Sequence, residues 1–323
     1  MFFRKLSIIL VLLSGAVQSG IAQDYPARTV KLIVPFAAGA ANDIIARLFA
    51  QKLSDQLKQS FVVENRPGGA GIPGAEYVAR SAADGYTLLL GNTTLLAIQV
   101  SLYAKLPYDT QRDFAPVSIL AISPSVLVVH PSVAARSVEE LVALAKANPG
   151  KLNYASAGNG TPFHLSGELF KAQTGTNFVH VPYKGNAPAL VDLLAGQVQL
   201  LFANPVDVVA HISSGKLRPI ASTGAKRIPL LPEVPTMAEA GFRNAESVSF
   251  FAIVAPTGTP KEAMTALHTE IVRAENQPDV RQRLYDLGCD PVGNTPEESK
   301  VFIRREIAKW AKVIKESGAR VDN

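Results

Sequence analysis

Short aliphatic or β-branched runs alternate with amphipathic helical patterns along most of the chain, and this alternation restricts the possible folds more than any other feature. Val30 to Pro35, Phe61 to Glu64 and Tyr86 to Gly91 read as strands. Asn42 to Leu57 places Ile45, Phe49, Leu53 and Leu57 at four-residue spacing, an apolar stripe suited to packing on a sheet. Further strands are expected near Ser125 to His130, Leu152 to Ser156, Phe178 to Val181, Gln199 to Ala203 and Pro219 to Ser222. Ser137 and Glu140 form a capping-box pattern that opens a helix over Val138 to Ala147, and Ala187 to Ala195 is a helix that ends at Gly196. Strand and helix in strict alternation predict parallel sheets covered by helices on both faces. A chain of 323 residues has room for about two such domains. After a last strand near Ser247 to Ala255, helices over Lys261 to Asn276, Pro278 to Leu287 and Pro296 to Glu316 are expected to pack as a terminal block on one domain. No internal repeat or linker marks a boundary, and Ser123-Pro124 and Glu246 to Phe251 are the expected crossing points.

The first 22 residues run from a cationic start, Arg4 and Lys5, through the apolar Leu6 to Leu13, to a small-residue end at Gly20-Ile21-Ala22. That order is the layout of a secretory signal peptide cleaved after Ala22. The apolar run is too short and too interrupted to cross a bilayer, which takes roughly 20 residues, so a soluble exported protein is expected. Without Arg4 and Lys5, 30 Lys and Arg stand against 27 Asp and Glu. An excess that small, spread along the chain, argues against a nucleic-acid partner. Cys289 is the single cysteine, which excludes an internal disulfide and a cysteine-rich metal site.

Gly69-Ala-Gly71-Ile-Pro-Gly74 fits a G-x-G-x-x-G pattern, but Pro73 lies inside it and the next strand ends at Gly91-Asn92 with no acid for a ribose. It reads as a turn. Ser156 and His164 offer a nucleophile and a base, yet no G-x-S-x-G elbow is present and Ser156 enters a flexible glycine loop. His164 is expected to buttress that loop, and the remaining histidines show no metal-ligand spacing. Two loops are more informative. Pro35 to Asp43 and Ser156 to Thr161 each follow a strand and open a helix, one in each half, at the strand ends where α/β sheets bind ligands. Small residues there expose backbone N–H groups at a helix N-terminus, which attracts anions. Asp43 is expected to cap its helix, Asp207 to meet a ligand amine or hydroxyl beside Asn204, and Cys289 to fill space as a small apolar residue.

The chain resembles the extracytoplasmic solute receptors of tripartite tricarboxylate transporters, the Bug family. The resemblance lies in Val34-Pro-Phe-Ala-Ala-Gly39 with Asp43, Val63-Glu-Asn-Arg-Pro-Gly68, Asp84-Gly-Tyr-Thr-Leu88 and Leu106-Pro-Tyr-Asp109. It continues through Tyr154 to Thr161 with His164 and Leu165, His180-Val-Pro-Tyr-Lys-Gly185, Gly215-Lys-Leu-Arg218, Leu231-Pro-Glu-Val-Pro-Thr236 and Ala255-Pro-Thr-Gly-Thr-Pro260. It implies an α/β, two-domain periplasmic binding protein fold, each domain a mostly parallel sheet flanked by helices, with the ligand cleft between them. Domain 1 is expected to comprise residues 23–123 and 250–323, and domain 2 residues 124–249. Two departures stand out. The family often has a second glycine where this chain has Ala40, which is expected to alter loop geometry, and a Trp-x-Gly pattern where it has Phe250-Phe251-Ala252, which is expected to reshape the far wall of the pocket.

The resemblance implies a monomeric periplasmic receptor that captures a small carboxylate and delivers it to a membrane permease, with no catalytic residue, metal or cofactor. The expected ligand-binding residues are Phe36, Ala37, Ala38, Gly39, Ala40 and Asn92 on one side, and Ser156, Ala157, Gly158, Asn159, Gly160, Thr161, His164, Asn204 and Asp207 on the other. A sensor docking on a signalling partner is the alternative, and a secreted hydrolase using Ser156 and His164 the third reading. Gly160→Val is expected to abolish the ligand's stabilisation at little cost in stability if Gly160 serves ligand approach, and at a large cost if the glycine serves the turn alone.

Overall fold

The computed structural model describes residues 25–320; the expected signal segment lies outside them. The first elements are β1 (Val30–Val34), α1 (Ala41–Leu57), β2 (Phe61–Asn65), α2 (Ile72–Ala79), β3 (Thr87–Asn92) and the short helices α3 (Gln99–Leu102) and α4 (Thr110–Asp113). Next come β4 (Phe114–Pro124), β5 (Val126–Val129), α5 (Val138–Ala147), β6 (Asn153–Ser156), α6 (Pro162–Thr174), β7 (Val179–Pro182) and α7 (Asn186–Leu194). The chain continues through β8 (Leu200–Ala203), α8 (Pro205–Ser213), β9 (Arg218–Ser222), β10 (Val248–Pro256), α9 (Lys261–Glu275), α10 (Pro278–Asp286), β11 (Asp290–Pro291) and α11 (Pro296–Ser317).

These strands form two sheets, one ordered β11-β4-β10-β3-β1-β2 and the other β7-β6-β8-β5-β9. The expected parallel pairing holds for β2-β1-β3 and for β7-β6-β8. Elsewhere the sheets are antiparallel: β10 runs against β3 and β4, and β5 against β8 and β9. The reason is the double crossing. β4 leaves the first sheet through Ser125 into β5, and the chain returns through Ser247 into β10, so the two crossing strands lie side by side in opposite directions.

The sequence reading places no strand at Phe114–Pro124, yet β4 is one of the longest, with 11 residues. Two prolines obscured it. Pro116 is tolerated because β11 pairs with β4 only at Ala121 and Ile122, which leaves the strand's far end without a partner on that side. The C-terminal helices also differ from a single block. Leu267 and Ile271 of α9 and Val280 of α10 join Phe49 and Leu53 of α1 on one face of the first sheet. Ile307 and Trp310 of α11 pack on the other face, together with Leu165 and Leu169 of α6 from the second sheet's unit. Each sheet thus has an apolar core on both faces, as buried α/β sheets require.

Candidate ligand-binding cleft

In each sheet two adjacent parallel strands send their chains to opposite sides, β1 and β3 in the first and β6 and β8 in the second. The crevice outside the carboxyl ends of such strands is where open α/β sheets accommodate ligands. After β1, residues 37–41 are exposed and lead into α1, whose N-cap Ala40 provides no side-chain cap. Asp43 organises this loop. Its carboxylate is buried and accepts hydrogen bonds from Gly39 N at 2.9 Å, Arg47 Nε at 3.0 Å and Asn65 Nδ2 at 2.8 Å. Burial alone would raise its pKa, but those three hydrogen bonds and the Arg47 charge outweigh it and hold the carboxyl below its ordinary range. Ala40 adopts φ −74° and ψ 162°, extended backbone that alanine takes without strain, so this loop does not need a glycine at position 40. Asn92, at the end of β3, donates to Asn42 Oδ1 at 3.1 Å and accepts from Leu95 N at 3.0 Å, tying the β3 end to the start of α1.

The glycines at 69–74 serve the same region structurally. A Cβ at position 74 would fall 2.9 Å from Pro35 Cβ, so this glycine lets α2 pack directly against the root of the loop.

The second loop, residues 156–161, is built around buried rings. Ser156 is fully buried and its hydroxyl contacts His180 Nε2 at 2.7 Å and also bonds the backbone N–H and carbonyl of Gly158. His164 Nδ1 accepts from Gly160 N at 3.0 Å, which is the buttress expected of it. The rings of His164 and His180 stack with centroids 3.9 Å apart, and the Tyr154 ring stacks near both, 4.8 Å from His180 and 6.4 Å from His164. Burial, with the neighbouring His164 and Lys171 charges, pushes the His180 pKa down to about 3 and keeps that ring neutral; burial also lowers His164, against the pull of Glu168. Two expectations change here. The histidine that contacts the Ser156 hydroxyl is His180 rather than His164, and the hydroxyl is buried between that ring and the backbone of Gly158. Gly160 has φ +72°, and a Cβ there would come within 2.3 Å of Leu102 Cδ2 in α3. A side chain at 160 would push the flexible end of Leu102 aside, and the left-handed backbone makes a β-branched valine costly there whatever the space.

A cavity of about 410 Å³ opens between the two sheet units. Its first wall is Ala41, Ser123, Phe251, Leu287 and Cys289; the opposite wall runs from Asn186 to Leu190 on α7 and from Leu201 to Asp207 through β8 into α8. Of the expected site residues, Asn204 and Asp207 border it directly, and the Phe36–Ala40 loop adjoins it through Ala41. The 156–161 loop stands behind: the Ala157 and Ser156 carbonyls accept from Gly185 N at 3.2 Å and Tyr183 N at 3.0 Å, supporting the segment that leads into α7. Three helix N-termini reach the cavity, those of α1, α7 and α8, and their N-caps Ala40, Gly185 and Asn204 make no side-chain capping bond. Among the described residues no Lys, Arg or His borders the cavity.

Asn186, Ala187, Phe251, Leu287 and Cys289 were not among the expected site residues. The first two follow β7 as Asn204 follows β8, so the strand-end rule that located one loop points to both. Phe251 and Cys289 carry no such signal, since an apolar residue beside a cleft has the same local pattern as one in a core. Phe250, the first position of the Phe-Phe-Ala departure, points away from the cleft and packs edge-on against Phe302 at 5.2 Å. Cys289 is buried, which pushes its thiol up to about 12.

The family model for the tripartite tricarboxylate transporter family receptor matches residues 45–319. The chain belongs to this receptor family. The receptor is 40% identical over 301 residues to the protein BugT of Bordetella pertussis, with 93% of this chain and 92% of BugT covered. It is similar to an R. palustris protein solved with adipate, at 40% identity and a TM-score of 0.78, over 92% of this chain and 99% of that one. MatC from Rhodopseudomonas palustris, solved with bound malate, is 32% identical with a TM-score of 0.73, over 90% of this chain and all of MatC.

Proposed function

We propose that this receptor captures small carboxylates in the periplasm and passes them, chemically unaltered, to a membrane permease. The binding site is the cleft between a domain of residues 25–124 with 248–320 and a domain of residues 126–246, joined through Ser125 and Ser247. The observation that carries this reading is the convergence of three uncapped helix N-termini on a cavity without a cationic side chain. Orphan N–H groups and aligned helix dipoles favour an anion there. Adipate and malate in the two R. palustris structures are carboxylates of the class such donors suit. The Phe36–Ala40 loop, Asn92, Asn204 and Asp207 form or support the face that meets the ligand, and residues 156–161 hold the opposite loop in place. Because the walls belong to separate units joined by two strands, binding closes the units about Ser125 and Ser247.

The test compares a free acid with its methyl ester. A ligand at about 100 times its dissociation constant stabilises the fold by about 2.7 kcal/mol, which for a chain of this size raises the melting temperature by roughly 5 °C. The acid should produce that shift together with compaction in small-angle scattering, and the ester neither. Equal stabilisation by acid and ester would rule out the amide cradle.

A further inference from the structure

The charges around the cleft constrain the ligand beyond its first carboxylate. The α1 N-terminus offers the backbone N–H groups of Ala41 and Asn42, and the one acid beside it, Asp43, is turned back into the loop and neutralised by Arg47 at 3.0 Å. The opposite wall is different. Asp207 sits in the first turn of α8, is solvent-exposed and lines the cavity. Its hydrogen-bond donors are the side-chain amides of Asn204 at 3.1 Å and Asn186 at 3.5 Å, and no cation pairs with it among the described residues. Asp207 therefore occupies the positive field of α8, and because both amides donate to its Oδ2, its Oδ1 keeps acceptor capacity at the cavity wall. Between the two ends the surface is apolar, formed by Phe251, Leu287 and Cys289 on one side and Leu190 and Val206 on the other.

We infer that Asp207 is a specificity residue that selects monocarboxylates with an apolar body and a distal hydrogen-bond donor, a hydroxyl or an ammonium, against dicarboxylates. The inference rests on the carboxylate-receptor reading above. A carboxylate seated at the α1 N-terminus lays its carbon chain along the apolar walls, where removal from water favours binding. Its far end then meets an acceptor. A hydroxyl or ammonium donates to Asp207, whereas a second carboxylate brings like charges together with no cation between them. This preference is opposite to what the adipate complex of the R. palustris relative would suggest for this chain.

The experiment measures binding of hexanoate, 6-hydroxyhexanoate, 6-aminohexanoate and adipate by calorimetry, with four- and eight-carbon counterparts, on the wild-type protein and on Asp207→Asn. In the wild type the hydroxy and amino acids should bind at least about tenfold more tightly than the diacid of matched length, a difference of about 1.4 kcal/mol. Asp207→Asn should tighten the diacid and weaken the amino acid until the preference falls below about threefold, with a melting temperature close to wild type because the side chain is exposed. Salt supplies a readout that needs no variant. Raising NaCl from about 10 mM to about 0.5 M should shrink the wild-type discrimination, because exposed charges are screened within a few ångströms at the higher value. A diacid that binds the wild type as tightly as the hydroxy acid, or a preference that survives both the substitution and the salt, overturns the role of Asp207 while leaving the receptor reading intact. If no acid of any length binds, the receptor reading and this inference fall together.

Discussion

Thr223 ties both crossing segments to the second sheet, and Thr223→Val is the substitution that tests this clasp. The side chain is 1% exposed. Its Oγ1 accepts from Ser125 N at 2.8 Å and donates to the Ser247 carbonyl, so one hydroxyl serves the outgoing and the returning chain. The backbone repeats the arrangement, with Thr223 N donating to Ser125 O at 2.9 Å and Ser247 N donating to Thr223 O at 3.0 Å. Valine keeps the shape and opens no cavity, but it lacks the hydroxyl. The Ser125 N–H then loses its acceptor in a buried site, at about 1–3 kcal/mol, and the Ser247 carbonyl loses a donor, at about 1 kcal/mol. The expected destabilisation is about 2–4 kcal/mol, seen as a fall of roughly 5–10 °C in the thermal transition followed by circular dichroism. Thr223→Ser keeps the hydroxyl and removes one methyl group, so it should cost about 1 kcal/mol. If the valine variant is as stable as wild type, or the serine variant is as unstable as the valine one, the hydroxyl is not the clasp.

Two further expectations follow from packing and titration. Gly160→Ala should cost about 1–3 kcal/mol, from a left-handed backbone and the contact with Leu102; measured by denaturant titration in a Leu102→Ala background, the penalty should drop to the backbone part alone, and an unchanged penalty would remove Leu102 from the account. Glu275 is buried with Oε2 unpartnered, and burial, opposed by the Arg281 charge, raises its pKa from 4.5 to about 7. The native state thus keeps a proton that the unfolded chain releases above pH 4.5, so stability is lost as pH rises from there through 7. Glu275→Gln should accordingly stabilise the protein at pH 8 by at most about 3 kcal/mol and leave it nearly unchanged at pH 4, as read from melting temperatures at the two values. Equal effects at both would contradict the assignment.

What the sequence disclosed was local. The α1 stripe, the Ser137 cap and the three C-terminal helices follow from side-chain periodicity within one turn or a few, and their limits agree with the structure to within a residue or two. Pairing direction is not local. Whether β10 lies parallel or antiparallel to β4 depends on where 123 intervening residues travel between Pro124 and Val248, and periodicity is the same in either case. The same limit explains the loop at Ser156. His164 was the histidine in view because it lies eight residues away, whereas the ring that contacts the hydroxyl is His180, brought alongside by the parallel pairing of β6 with β7. The strand-end rule points to residues that line the cavity, Asn204 and Asp207, and is silent on Leu287 and Cys289, which reach it from a turn after α10.

A cradle of helix-start amides has a consequence for how selectivity arises. No side-chain substitution removes a backbone N–H, except by proline, so on the proposed reading the charge preference of the α1 end lies in the fold rather than in any one residue. Proline already uses that exception on the other side: Pro205 at the start of α8 and Pro188 near the start of α7 each withhold one donor. The second unit is therefore the poorer anion site even before Asp207 is counted. One end of the cleft is rich in donors and the other is depleted in them and carries an acceptor, with apolar walls between. On the proposed reading, such an asymmetric cleft orients an asymmetric ligand, carboxylate toward α1 and donor toward α8, before any closure of the two units.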